Sequence, residues 1–235
     1  MNDLKHRFYA KPKKDQVRIQ LVVALAAVTV ILVALAISIM TGVYLIVLLA
    51  FPLTLSVIAP FFDTPSLKKS GQLIYYSPLL LAERPKNGMI RIHGGTLFDY
   101  VFVIDRRLNG KQRTNFIVQQ YLEGLLNLIN EYEMTRVENL KICATSYIIN
   151  GRSAKRIGFE VTKTDYVQKL ILIYNYFNVL ISYSIAKGTL AFPKFREVKS
   201  FETGLNGLIE RKSYLQNLNE KLKGQINGMY LPGRE

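Results

Sequence analysis

The sequence predicts a membrane helical hairpin (two transmembrane helices) followed by a soluble α+β domain with a small sheet and long helices. Three observations predict it. No Arg, Lys, Asp, Glu or His occurs between Arg18 and Asp63, a block about twice the ~20 apolar residues that one crossing needs. The block weakens in its middle, at Met40-Thr41-Gly42. Behind it, strand-like and helix-like periods alternate over a stretch long enough to bury its own core. The chain then divides into a basic cytosolic N-terminal segment (1–18), the hairpin (19–62), a cytosolic α+β domain (63–199) and a C-terminal amphipathic helix with its tail (200–235).

Within the block, Ile19–Ile39 and Val43–Pro60 are the expected spans, joined by a very tight turn. Lys5, Arg7, Lys11, Lys13, Lys14 and Arg18 precede the first span, and Lys68 and Lys69 follow the second. These are the expected membrane-surface residues. Loops rich in Lys and Arg stay in the cytoplasm, so both termini are expected there. The first span is too long for a signal-peptide core, and a second follows at once, so an uncleaved hairpin in a bacterial inner membrane is expected. Pro52 and Pro60 remove backbone donors from the second span. Ala24, Ala27, Ala34 and Ala36 permit close helix approach.

The formal net charge is +14. A basic chain tethered to a bilayer has anionic headgroups as its first partner. The basic residues are spread out and accompany no recognition helix, zinc finger or aromatic RNA-binding motif, which argues against nucleic acid. A single cysteine, Cys143, excludes an intrachain disulfide, and its apolar surroundings read as a buried hydrophobe. His6 and His93 are the only histidines, and no Cys/His cluster suggests a metal.

In the domain, Pro65, Pro78 and Pro85 mark an irregular stretch. Strands are expected at Met89–His93 and Phe98–Ile104 around Gly94-Gly95, then a charged turn from Asp105 to Arg113. Thr114 reads as the N-cap of a helix to about Glu133, whose apolar face is Ile117, Tyr121, Leu125, Leu128 and Tyr132. A strand at Leu140–Ile149, a short helical turn and a strand at Gly158–Val161 follow. Asp165–Lys187 reads as one long apolar helix with a polar stripe at Asn175, Asn178 and Ser182, buried or lying on the membrane surface. The basic residues Lys187, Lys194, Arg196 and Lys199 after it argue against a third span. A final helix from Ser200 to about Lys223 carries a seam of Phe201, Leu205, Leu208, Lys212, Leu215, Asn219 and Leu222, and packing on its own domain is expected.

One segment has a chemical signature. The turn Arg107-Leu108-Asn109-Gly110-Lys111-Gln112-Arg113 stands between an expected strand and a helix N-terminus. Free N–H groups, the helix dipole, Lys111 and Arg113 would favour a phosphate there. Arg107, Gly110 and Gln112, with Asn150, Ser153, Ala154 and Gly158-Phe159-Glu160 further on, resemble the CoA-binding core of the GNAT N-acyltransferases over residues 99–160. Gln112 stands where that family has a small residue. The resemblance implies acyl-CoA as cofactor, held by Arg107, Gly110, Lys111, Gln112, Arg113 and Asn150.

His93 beside Gly94-Gly95 is a candidate general base, with Asp99 or Asp105 to orient it. No catalytic set, P-loop, paired metal carboxylates or dinucleotide fingerprint stands out. The leading expectation is therefore a non-catalytic integral membrane protein. Its basic domain would act at the membrane surface as an interaction or assembly module, with a membrane-protein partner or a second copy, and no cofactor is expected. The alternatives are a membrane-tethered acyl-CoA-dependent N-acyltransferase and a small transporter subunit.

Overall fold

The computed structural model describes residues 4–135, 140–146, 151–162, 166–193 and 198–230. Asn150, Lys194, Arg196, the end of the expected strand at 147–149 and the tail at 231–235 lie outside them.

Two long apolar helices come first, α1 (Lys13–Thr41) and α2 (Leu45–Lys69). Both are long and apolar enough to cross a membrane. α1 begins six residues ahead of its expected span, and α2 runs nine residues past the end of its own. Pro65 lies inside α2 and not in an irregular stretch. The two pack along a narrow seam that buries Ala27, Ala34 and Ser38 of α1, while Ser56 of α2 is buried where Tyr174 and Asn178 meet it. Large apolar side chains such as Leu21, Leu25, Leu32, Leu48 and Phe51 face outward. Gly42 caps α1 in the left-handed conformation, and the Ser38 hydroxyl accepts from the Val47 N–H, one of the unpaired donors opening α2.

The polar residues of the hairpin answer its prolines. Pro60 and Pro65 have no N–H to give the carbonyls four residues earlier, Ser56 and Phe61. Gln20 of α1 donates its amide to the Phe61 carbonyl at 3.0 Å. Asn178, from far along the chain, donates to the Ser56 carbonyl at 2.7 Å. Both carbonyls are thereby paired.

A mixed sheet follows, in the order β1 (Leu73–Ser77), β2 (Leu80–Glu83), β3 (Met89–Gly94), β4 (Lys141–Ser146), β6 (Lys199–Gly204), β5 (Glu160–Thr162). Pro78 sits in the β1–β2 turn, where the Ser77 hydroxyl accepts from the Leu79 and Leu80 N–H groups. Only β3 and β4 run parallel. A parallel pair needs a crossover, supplied by α3 (Leu97–Val103) and α4 (Gly110–Thr135). The remaining helices are α5 (Gly151–Arg156), α6 (Tyr166–Tyr174), α7 (Tyr176–Lys187), α8 (Leu205–Glu210) and α9 (Lys212–Tyr230). Ile90 and Ile92 of β3, Ile142 of β4 and Phe201 of β6 meet α4 in one core, and Ile117, Tyr121, Leu125, Leu128 and Tyr132 of α4 are all buried there.

Four further expectations need correction. The strand expected at Phe98–Ile104 is helix α3, despite its β-prone residues. Thr96 and Asp99 form a capping box, and the Arg7 guanidinium donates to the carbonyls of Val101, Phe102 and Ile104 at the other end. Thr114 is not an N-cap: α4 begins at Gly110, Asn109 and Gln112 cap each other reciprocally, and the Thr114 hydroxyl donates back to the Gly110 carbonyl. The long helix over 165–187 is broken at Asn175 into α6 and α7, within the described part of that range. The start of the expected last helix is strand β6, paired on both sides. Leu205, Leu208, Leu215 and Asn219 of the seam are nonetheless buried, on the chain's own core.

Candidate functional site

Three clusters of polar side chains bear on chemistry. The first is the basic turn. Arg107 pairs with Asp105 at 2.8 Å, and this guanidinium pulls the Asp105 carboxyl down to about 2. Arg113 reaches across to donate to the carbonyls of Arg106, Leu108 and Ile185, tying the turn to the last turn of α7. The Gln112 amide oxygen accepts from the Asn109 N–H in the cap of α4. A Cβ at Gly110 would overlap the Lys187 carbonyl oxygen, so that glycine admits α7. Lys111 is exposed. A helix, and not a strand, leads into this turn. Ser153 and buried Ala154 lie on α5.

The second cluster joins the N-terminal segment to the domain. Asp99 is fully buried with both oxygens occupied. Oδ1 accepts from the Tyr75 hydroxyl at 2.6 Å and lies 3.2 Å from His6 Nε2; Oδ2 accepts from the Thr96 N–H and hydroxyl. Burial, with the Asp99 charge beside it, pushes the Tyr75 phenol far above its usual range. Phe8, Phe98, Phe102 and Phe61 pack edge to face or tilted around this group. The Lys68 ammonium lies over the Tyr9 ring, 3.6 Å from its centre. Of the expected membrane-surface residues, Arg7 thus caps α3 and Lys68 covers an aromatic ring. Lys5, Lys11, Lys13, Lys14 and Lys69 are exposed, and Arg18 is exposed on the first turns of α1.

The third cluster borders a cavity of about 440 Å³ at the carboxyl ends of the parallel strands β3 and β4. Its walls are mainly apolar: Leu125 of α4, Ala154 and Ile157 at α5, Phe159, Phe201, and Ile171 and Leu172 of α6. Gly94 also lines it, and a Cβ there would overlap the Tyr121 hydroxyl. That hydroxyl lies 3.3 Å from the Tyr100 hydroxyl, and burial pushes Tyr121 up to about 12. Polar groups at the edge are Glu83, Arg91, His93, Thr145 and Ser146. His93 Nε2 lies 2.8 Å from Glu83. The His93 hydrogen bond holds the Glu83 carboxyl below its usual range.

Glu83, and neither of the aspartates suggested by sequence proximity, is therefore the partner of His93. Asp99 belongs to the His6 cluster and Asp105 to Arg107. The Glu83–His93 pair is invisible in sequence because it forms across the β2–β3 ladder. No residue of the basic turn lines the cavity. Cys143 is half-buried on β4, and burial pushes its thiol up, away from the reactive thiolate. Comparison with protein-family models, with curated proteins and with solved structures finds no match for this chain.

Proposed function

We propose that this chain is an integral protein of a cell membrane, the bacterial inner membrane by its charge pattern, with both termini in the cytosol. Its basic α+β domain acts non-catalytically at the membrane surface as an interaction or assembly module. The supporting observation is how the domain is joined to the hairpin. Asn178 and Tyr174 meet Ser56, six residues inside the uncharged block from Phe62, or about 9 Å at helical rise. Leu170, Ile173 and Tyr174 are exposed there. On the reading that α1 and α2 cross the bilayer, these side chains lie in its surface layer, and the domain moves as one piece with its anchor. A partner of this module is another membrane protein or a second copy, and anionic headgroups face its exposed lysines.

The experiment is extraction of the full chain from native membranes in mild detergent. A protein partner at fixed stoichiometry, or a discrete homo-oligomer, is expected. A lone monodisperse chain overturns the reading. The acyltransferase alternative has less support, since Arg107, Gln112 and Arg113 are engaged within the fold and the turn stands apart from the cavity. It predicts acetyl-CoA binding by the full chain. The transporter alternative needs a third crossing, and α6 and α7, of 9 and 12 residues, are each shorter than one.

A further inference from the structure

We propose that the cavity at the carboxyl ends of β3 and β4 binds a single-chain amphiphile with an anionic headgroup, drawn from the bilayer, with the head at Arg91 and His93. This rests on the membrane placement of the hairpin and not on the existence of a protein partner.

Size, lining and access point to it. At roughly 30 Å³ per methylene, a figure close to the volume share of a water molecule, 440 Å³ holds one chain of about fifteen carbons and is too small for both chains of a two-chain lipid. It falls within the range of small-molecule sites, which are mainly apolar with a few placed polar groups. The deep walls, Leu125, Ile157, Phe159 and Phe201, suit a hydrocarbon. The charged residues are confined to the strand edge. There Glu83 is already paired with His93, and Arg91, whose charge also acts on the Glu83 carboxyl, makes no close ion pair of its own among the described residues.

Access comes through α6. Ile171 and Leu172 form one wall of the cavity, and Tyr174, within one helical turn, accepts from the Ser56 hydroxyl of α2 at 3.3 Å. The same short helix thus borders both the cavity and the apolar layer around the hairpin. On this proposal a chain enters along α6 from the apolar layer, a route that keeps it out of water and so costs little hydrophobic free energy.

The test is photolabelling of the full chain in nanodiscs with a diazirine-bearing palmitic acid, followed by peptide mapping. Labelled peptides from β3, α5 or β6 are expected beside those of α1 and α2, which report insertion separately. Unlabelled palmitic acid and lysophosphatidic acid are expected to compete for the domain sites, and the methyl ester is not. Arg91→Gln, an exposed change, should weaken domain labelling about tenfold, the worth of one charge-assisted hydrogen bond. Ala144→Ile, which fills the cavity from β4, should abolish it and leave hairpin labelling intact. Labelling confined to α1 and α2 overturns the proposal while the membrane placement stands. Absence of hairpin labelling overturns both. Domain labelling unaffected by Arg91→Gln or displaced equally by the ester overturns the anionic head, and displacement by palmitoyl-CoA alone overturns the bilayer as source.

Discussion

Gly110 has a packing role that its motif does not reveal: it lets the end of α7 approach the start of α4. Gly110→Ala is expected to destabilise the chain by about 1–3 kcal/mol through overpacking, read as a lower unfolding midpoint in detergent. A bulky residue there would damage the fold as well as any phosphate cradle, so it cannot separate the two. Asp105 offers a cleaner measurement. Its folded value of about 2 lies below the ordinary 3.8, so its contribution to stability is present above about 3.8 and lost as pH falls through 2. Side-chain NMR should show Asp105 still ionised at pH 3, and Arg107→Ala should return its titration toward the ordinary value. At this scale the sequence revealed the candidate residues but not their partners. Gln112 three residues after Asn109 has the spacing of a cap, whereas Arg113 finds Ile185 only across the fold.

At the scale of elements, hydrogen-bond supply explains what the sequence pattern left ambiguous. Phe98–Ile104 has the composition of a strand, yet the Thr96–Asp99 cap and the Arg7 guanidinium make it a helix. The Thr-x-x-Asp spacing was readable; Arg7, more than ninety residues away, was not. At the break, Asn175 donates to the Ile171 carbonyl of its own chain segment, and of the polar stripe it is Asn178 of α7 that reaches a second element, at the Ser56 carbonyl. Asn178→Ala should cost about 1–3 kcal/mol, the price of an unpaired buried carbonyl. In a Pro60→Ala background, where residue 60 regains an N–H for that carbonyl, the same change should cost much less. A double-mutant cycle on thermal unfolding checks this, and an unchanged penalty would show that Asn178 matters for another reason.

At the scale of the whole molecule, the hairpin and the domain are built into each other. Arg7 and Phe8 pack against α3, α2 continues to the edge of the sheet, and α7 returns to α2. Deletion of residues 1–11 is therefore expected to destabilise the domain as well as remove positive charge, since it takes away His6, Arg7 and Phe8 together. Proteolysis of the truncated chain in membranes should begin near α3. Reporters fused at either terminus are expected on the cytosolic side, and a reporter at Gly42 on the opposite one.

The long apolar helices were legible in the sequence because an uncharged block of that length carries its signal locally, residue by residue. The buried face of α4 was legible for the same reason, since helical period survives without neighbours. The tertiary structure alone decided that β6 enters the sheet between β4 and β5, that Glu83 partners His93, and that an apolar cavity lies beside α6. Each of these depends on contacts between residues distant in the chain, whose free energy comes from pairing and burial that no local pattern encodes.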